Sequence, residues 1–130
     1  GLPEVCRGLV AGSGGLVRLP QRIPRAIALE YALTGARLPA REAHGWGLVN
    51  RLTAPGEALA GALALADTIC ANGPLAVAMT KRIVTESPTW PPAELWARQA
   101  PLVDAVLASE DAREGSLAFA EKRLPVWRGR

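Results

Sequence analysis

Aromatic side chains are scarce in this chain, at 5% of residues with a single Phe and a single Tyr, so the bulk of any core has to come from small and aliphatic residues. Alanine and leucine dominate instead, which favours helices packed at close range. Cysteine is scarce too. Cys6 and Cys70 stand far apart, which argues against a disulfide framework and against a clustered thiolate metal site, and a reduced, cytoplasmic setting is expected. No apolar run approaches the roughly 20 residues needed to span a bilayer, so no membrane partner is expected. The only histidine, His44, has no triad or metal partners nearby in the sequence and reads as structural. A starting methionine is also lacking; with Gly1 at the front, the expectation is a piece of a longer polypeptide.

What is present is ordinary globular material: 130 residues, 49% hydrophobic and 21% charged, enough for one core and unlike a disordered chain. The net charge of +3 and pI near 9.4 permit an anionic partner. Phosphates of a cofactor and of a nucleic acid fit that charge equally. The basic residues are scattered and thicken only at Lys122, Arg123, Arg128 and Arg130. With no recognition motif, nucleic acid is not expected as a partner.

Helical spacing recurs along the chain. Ile23, Ile27 and Tyr31, with Leu29 and Leu33 beside them, predict a helix stopped by Gly35. Pro39 opens a short helix ended by Gly45 and Gly47, and "LVNRLT" suits a brief extended segment. Leu59, Leu63, Ala66 and Cys70 share one helical face, Asn72-Gly73-Pro74 separates that helix from the next, and Leu75, Met79 and Ile83 line the latter. A further helix runs from Ala93 to Ala108 through Trp96, Val103 and Leu107, with Pro101 expected to kink or interrupt it. Ser109 is a cap for a last helix whose Glu110 and Asp111 complement the positive end of its dipole. The tryptophans fall at helix ends and corners, as packing anchors do.

The opening "GLPEVCRGLVAGSGGLVRL" poses the functional question. It holds one acid, Glu4, and five glycines. A flexible surface turn with a solvated acid is the plain reading. A phosphate-binding P-loop is excluded, because the lysine and following Ser/Thr are missing, and a dinucleotide fingerprint is excluded because no strand precedes the glycines. A third reading joins the features: a carboxylate facing bare backbone N–H groups can bind and activate water, with Leu2, Val5, Leu9 and Val10 excluding bulk solvent from it. Cys6 follows no nucleophile motif and reads as a small packed residue.

"LPEV", the glycine loop, "AREAHGWGLVNRL", "NGPLAVAMTKRIV" and "SEDAREGSLAFAEKR", in that order, resemble the second half of an enoyl-CoA hydratase of the crotonase superfamily, and the resemblance runs through essentially the whole chain. It implies a mainly α fold: the C-terminal helical, trimerisation region of the ClpP/crotonase-like α/β spiral fold, without its N-terminal half. Residues 1–20 would be the end of the crotonase core and 21–130 the helical oligomerisation region. Such enzymes add water across the 2,3 double bond of an enoyl-CoA thioester with two glutamates and two backbone N–H groups. Glu4 matches the second glutamate and Gly12 the glycine whose N–H positions the water. The first glutamate and the oxyanion donors would lie upstream, so these residues alone are expected to be inactive.

Phe119 and Lys122 match positions near bound coenzyme A, commonly that of a neighbouring subunit. Read without the resemblance, Phe119 is a core residue and Lys122 a solvated helix side chain. The implied substrate is an acyl-CoA, with no covalently bound cofactor and no metal, and the implied assembly is a homotrimer or a hexamer built as a dimer of trimers. An isomerase of the same superfamily and a catalytically silent acyl-CoA-binding or oligomerisation protein remain as alternatives.

Overall fold

Proline and glycine set the first turns. Pro3 supplies the fixed φ that opens a 3-10 turn, Pro3–Arg7, and Gly8, left-handed at φ 68°, ends it. The computed structural model describes residues 1–130, and these form two compact units, Gly1–Leu59 and Ala60–Arg130. All regular structure in both is helical, with no strand.

In the first unit the opening turn is followed by a single helical turn, α1 (Gly15–Arg18), a 3-10 turn (Leu19–Gln21), α2 (Arg25–Thr34) and α3 (Ala40–Gly45). The opening turn and the Leu19–Gln21 turn both pack on α2. Ile23 is buried as its spacing predicts, but α2 turns Ala28 and Ala32 inward and leaves Leu33 70% exposed. Small residues at i and i+4 admit close backbone approach, so the buried stripe is the alanine one. Gly35, at φ 68°, stops α2 as predicted. A Cβ there would collide with the Cys6 sulfur and crowd the backbone of Pro3, so this glycine joins the α2 terminus to the opening turn. The Tyr31 hydroxyl donates to Glu42 at 2.5 Å, tying α2 to α3. That hydrogen bond, chiefly, raises the phenol pKa.

The expected extended segment at "LVNRLT" is not a strand. Leu48 and Val49 give their N–H groups to the Ala43 carbonyl at 2.8 and 3.3 Å, and so close α3 rather than opening a ladder.

The second unit is built on α4 (Ala58–Cys70, whose first turn begins at the end of the first unit), α5 (Pro74–Glu86), α6 (Leu95–Leu107) and α7 (Glu110–Glu121), with 3-10 turns at Ser87–Thr89 and Pro92–Glu94. α5 packs on α6 and α6 on α7. Met79 and Ile83 of α5, with Leu102, Val103 and Val106 of α6, are half-buried, whereas Trp96, expected as a packing anchor, is 78% exposed. α6 runs through Pro101 without interruption. The bond that this proline removes is the one to the Ala97 carbonyl, and both residues are exposed, so water can take the donor's place.

No single helix is long and apolar enough to cross a membrane. The face of α4 marked by Leu59 and Leu63 is exposed.

The predicted cap is present: the Ala112 N–H donates to the Ser109 hydroxyl at 3.0 Å. Beyond α7 the chain doubles back as an extended strap. Arg128 and Gly129 donate their N–H groups to the two oxygens of Asp111 at 2.7 and 2.8 Å, and Trp127 Nε1 donates to the Ala71 carbonyl at 2.9 Å. The indole fits because Gly73 and Gly115 lie under it. A Cβ on Gly115 would stand 3.2 Å from the ring.

Candidate functional site

Glu4 owes its placement to its neighbours on both sides. Pro3 starts the turn that carries it, and the Leu9 N–H closes the turn on the Glu4 carbonyl at 3.0 Å. The side chain reaches a concave space of about 400 Å³ bounded mainly by apolar groups, among them Leu2, Val5, Val10, Ala11 and Leu16, with the Ala28 and Ala32 face of α2 behind. Glu4 Oε2 is buried there without a hydrogen-bond partner in the chain. Such an atom is rare in folded proteins and costs about 1–3 kcal/mol or more when charged. Retaining it in an apolar cavity fits an oxygen meant for a partner outside the chain. Arg25 also borders the cavity; it joins no ion pair.

Gly12 follows Ala11 but does not itself line the space. It is exposed, a Cβ built on it would meet only the Val10 carbonyl at 3.9 Å, and no backbone hydrogen bond of the chain uses its N–H. The opening segment thus brings Glu4, Val10 and Ala11 to one cavity and leaves the Gly12 amide open beside it.

Phe119 and Lys122 belong to the second unit. Phe119 stands on the last turn of α7 with 88% of its surface exposed, so its reading as a core residue does not hold: the buried residue of that turn is its neighbour Ala118. Lys122 is exposed and caps the helix at φ 54°, the chain's only non-glycine residue with a positive φ. Its N–H reaches the Phe119 carbonyl at 3.3 Å, and the Arg123 N–H the Ala118 carbonyl at 3.0 Å. This is the left-handed cap that glycine usually supplies, and a residue with a Cβ takes it at a cost of about 1 kcal/mol. A space beside this helix, bordered by Phe119 and Trp127, is lined by Ala112, Gly115 and Ser116 of α7 and by Ala76 of α5 and Val106 of α6.

Sequence reasoning missed the brace beside this pair. Arg123 meets Glu114 through both Nη atoms, at 2.6 and 3.0 Å, and Glu121 through Nε at 2.6 Å. The Arg123 hydrogen bonds, then the Val126 N–H, lower the Glu114 pKa to about 2. Only the local thickening of basic residues hinted at it. The partners lie up to nine residues apart and no helical period joins them. Asp111, read as a dipole partner, is 5% exposed and anchors the strap as well. His44 is exposed on α3, and Cys6 is exposed with its sulfur against the Thr34 carbonyl at 3.6 Å.

Comparison with known proteins bears on this geometry. The profile of the Enoyl-CoA hydratase/isomerase family matches residues 1–130. A carnitinyl-CoA dehydratase of Escherichia coli (strain K12) is 45% identical over a 133-residue alignment that covers 99% of this chain and 51% of that protein. The crystal structure of an enoyl-CoA hydratase from Mycobacterium tuberculosis H37Rv superposes with TM-score 0.93 at 60% identity, covering all of this chain and 52% of the other. One from Mycobacterium marinum gives 0.94 at 58%, again with 100% and 52% coverage. The chain spans about half the length of the relatives it matches. From its first residue to its last, this chain belongs to the enoyl-CoA hydratase/isomerase family, with the helical part of the crotonase fold.

Proposed function

We propose that the chain is the C-terminal part of an enoyl-CoA hydratase, a hydro-lyase of acyl-CoA metabolism, and that Glu4 is its proton-handling carboxylate. The observation that carries this reading is the buried, unpartnered Oε2 of Glu4 in an apolar cavity. Hydration adds the oxygen of water to C3 of the enoyl thioester and a proton to C2. A carboxylate that accepts one hydrogen of the water orients its lone pair, takes that proton as the C–O bond forms, and can return a proton to the substrate carbon. Apolar walls keep competing water away. The open N–H of Gly12 is the group that would help hold the reacting water.

The hydratase and dehydratase names of the relatives describe one class of step, addition or removal of water on a CoA thioester, and the same acid can serve both directions by microscopic reversibility. At the far end of the chain, the exposed ring of Phe119 would line the acyl-CoA path, and the unpaired Lys122 ammonium would meet one of its phosphates as a point charge. No metal or covalently bound cofactor enters this chemistry. Exposed apolar positions such as Leu59 and Leu63 support burial against further copies in a cytoplasmic homotrimer or hexamer. The other glutamate and the oxyanion donors would come from residues beyond this stretch, so the 130-residue chain by itself should not turn over crotonyl-CoA.

The test is Glu4→Gln in the intact polypeptide. Turnover of crotonyl-CoA should fall about 10²–10⁴-fold while binding of the thioester changes little. Equal activity in the variant would remove Glu4 from the reaction.

A further inference from the structure

The bend that carries Lys122 is held by side chains of its own helix. The residue after it, Arg123, is gripped from two sides: both Nη atoms by Glu114, in the middle of α7, and Nε by Glu121, its last residue. Arg123 Nη1 also reaches the Leu124 carbonyl at 3.2 Å, and Glu114 accepts the Val126 N–H at 2.8 Å, so the grip extends into the strap. A planar guanidinium makes this fork with fixed geometry, and an ammonium cannot. Lys122 itself is exposed and joins no ion pair. A lysine therefore stands where glycine would fit the backbone better, and its bend is braced by three neighbouring charges.

We propose that Arg123 is a positioning residue for acyl-CoA binding. Clamped between Glu114 and Glu121, it holds the point at which the Lys122 side chain leaves α7, and so fixes where that ammonium meets a phosphate of the thioester. The inference rests on Lys122 contacting the acyl-CoA, and the experiment separates the two.

In the intact protein, KM and kcat for crotonyl-CoA are measured for Lys122→Ala, Arg123→Lys, Glu114→Gln and the Lys122→Ala/Arg123→Lys double variant. Loss of the ammonium should raise KM about tenfold with kcat unchanged, as for one charge-assisted hydrogen bond. Arg123→Lys keeps the charge but loses the fork and should raise KM by roughly threefold to tenfold, again with kcat unchanged. Glu114→Gln retains an acceptor for the Val126 N–H, loosens the same clamp and should act alike. In the double variant Arg123→Lys should add nothing, because its effect passes only through Lys122.

If Lys122→Ala leaves KM unchanged, the contact between Lys122 and acyl-CoA fails, and this inference with it. If Lys122→Ala raises KM but neither Arg123→Lys nor Glu114→Gln does, the positioning role is overturned and the contact stands. The positioning role is likewise overturned if Arg123→Lys acts equally in both backgrounds, or if its effect appears in kcat or as lost helicity.

Discussion

A buried carboxylate oxygen without a partner sets the terms for residue-scale tests. Glu4 Oε2 works against folding wherever nothing bonds to it. Glu4→Met keeps the bulk and removes the orphaned acceptor. It should therefore unfold no more easily than the parent, and gain up to about 1 kcal/mol, while turnover of the intact protein is lost. Chemical denaturation checks this, and a loss of more than about 1 kcal/mol would mean that the carboxylate serves the fold. Lys122 poses the same opposition between backbone and side chain. Lys122→Gly relieves the left-handed strain of about 1 kcal/mol but loosens the unfolded chain by roughly 0.4–1 kcal/mol. Stability should hold or rise slightly while KM for acyl-CoA increases, and a marked fall in the melting temperature would contradict the strain argument.

At the scale of the element, α7 and the strap that follows it form one device. Asp111 accepts strap N–H groups with both oxygens, so Asp111→Ala should cost about 2 kcal/mol, read by denaturant unfolding, and free the Trp127 region for hydrogen exchange. Glu114 adds a pH dependence. Its folded pKa of about 2 lies below the ordinary value of 4.5, so its stabilising contribution is complete above about 4.5 and is lost as pH falls from there toward 2. Glu114→Gln should accordingly flatten the dependence of unfolding free energy on pH in that window, and an unchanged slope would show that the pair contributes nothing.

Elements differ in how legible they are. The Ser109 cap, the Gly35 stop and the Gly73-Pro74 restart are local chemistry, and each lies where the residues predict. On α2 the most buried positions are Ala28 and Ala32, next to the half-buried Ile27 and Tyr31 of the predicted stripe, while Leu29 and Leu33 are exposed; neighbouring stripes all satisfy a helical period, and only a packed neighbour chooses between them. Pro101 leaves its helix unbroken for a related reason: the cost of a missing donor depends on whether water can replace it.

For the whole molecule the balance of burial dominates. The buried apolar residues are one isoleucine and five alanines, while Leu33, Leu59, Leu63 and Trp96 are largely exposed. So small a buried set stabilises a chain of this length weakly. The isolated chain should bind a hydrophobic dye strongly and unfold at low denaturant or associate, as sedimentation would show. A sharply cooperative, monomeric, dye-silent chain would contradict this.

The amino-acid sequence by itself determined the longer helices, the Ser109 cap, the Gly35 stop and the placing of a lone acid ahead of open glycine backbone, because each depends on residues within a turn or two of one another. The family was legible there too, in the order of several short motifs. What only the tertiary structure decided is which groups meet: Glu4 with the apolar cavity against α2, Trp127 with two distant glycines, and Arg123 with Glu114 beside Lys122. Trp127 also bonds to the Ala71 carbonyl, 56 positions away, and a contact across such distances exists only once packing has chosen the faces that close on each other.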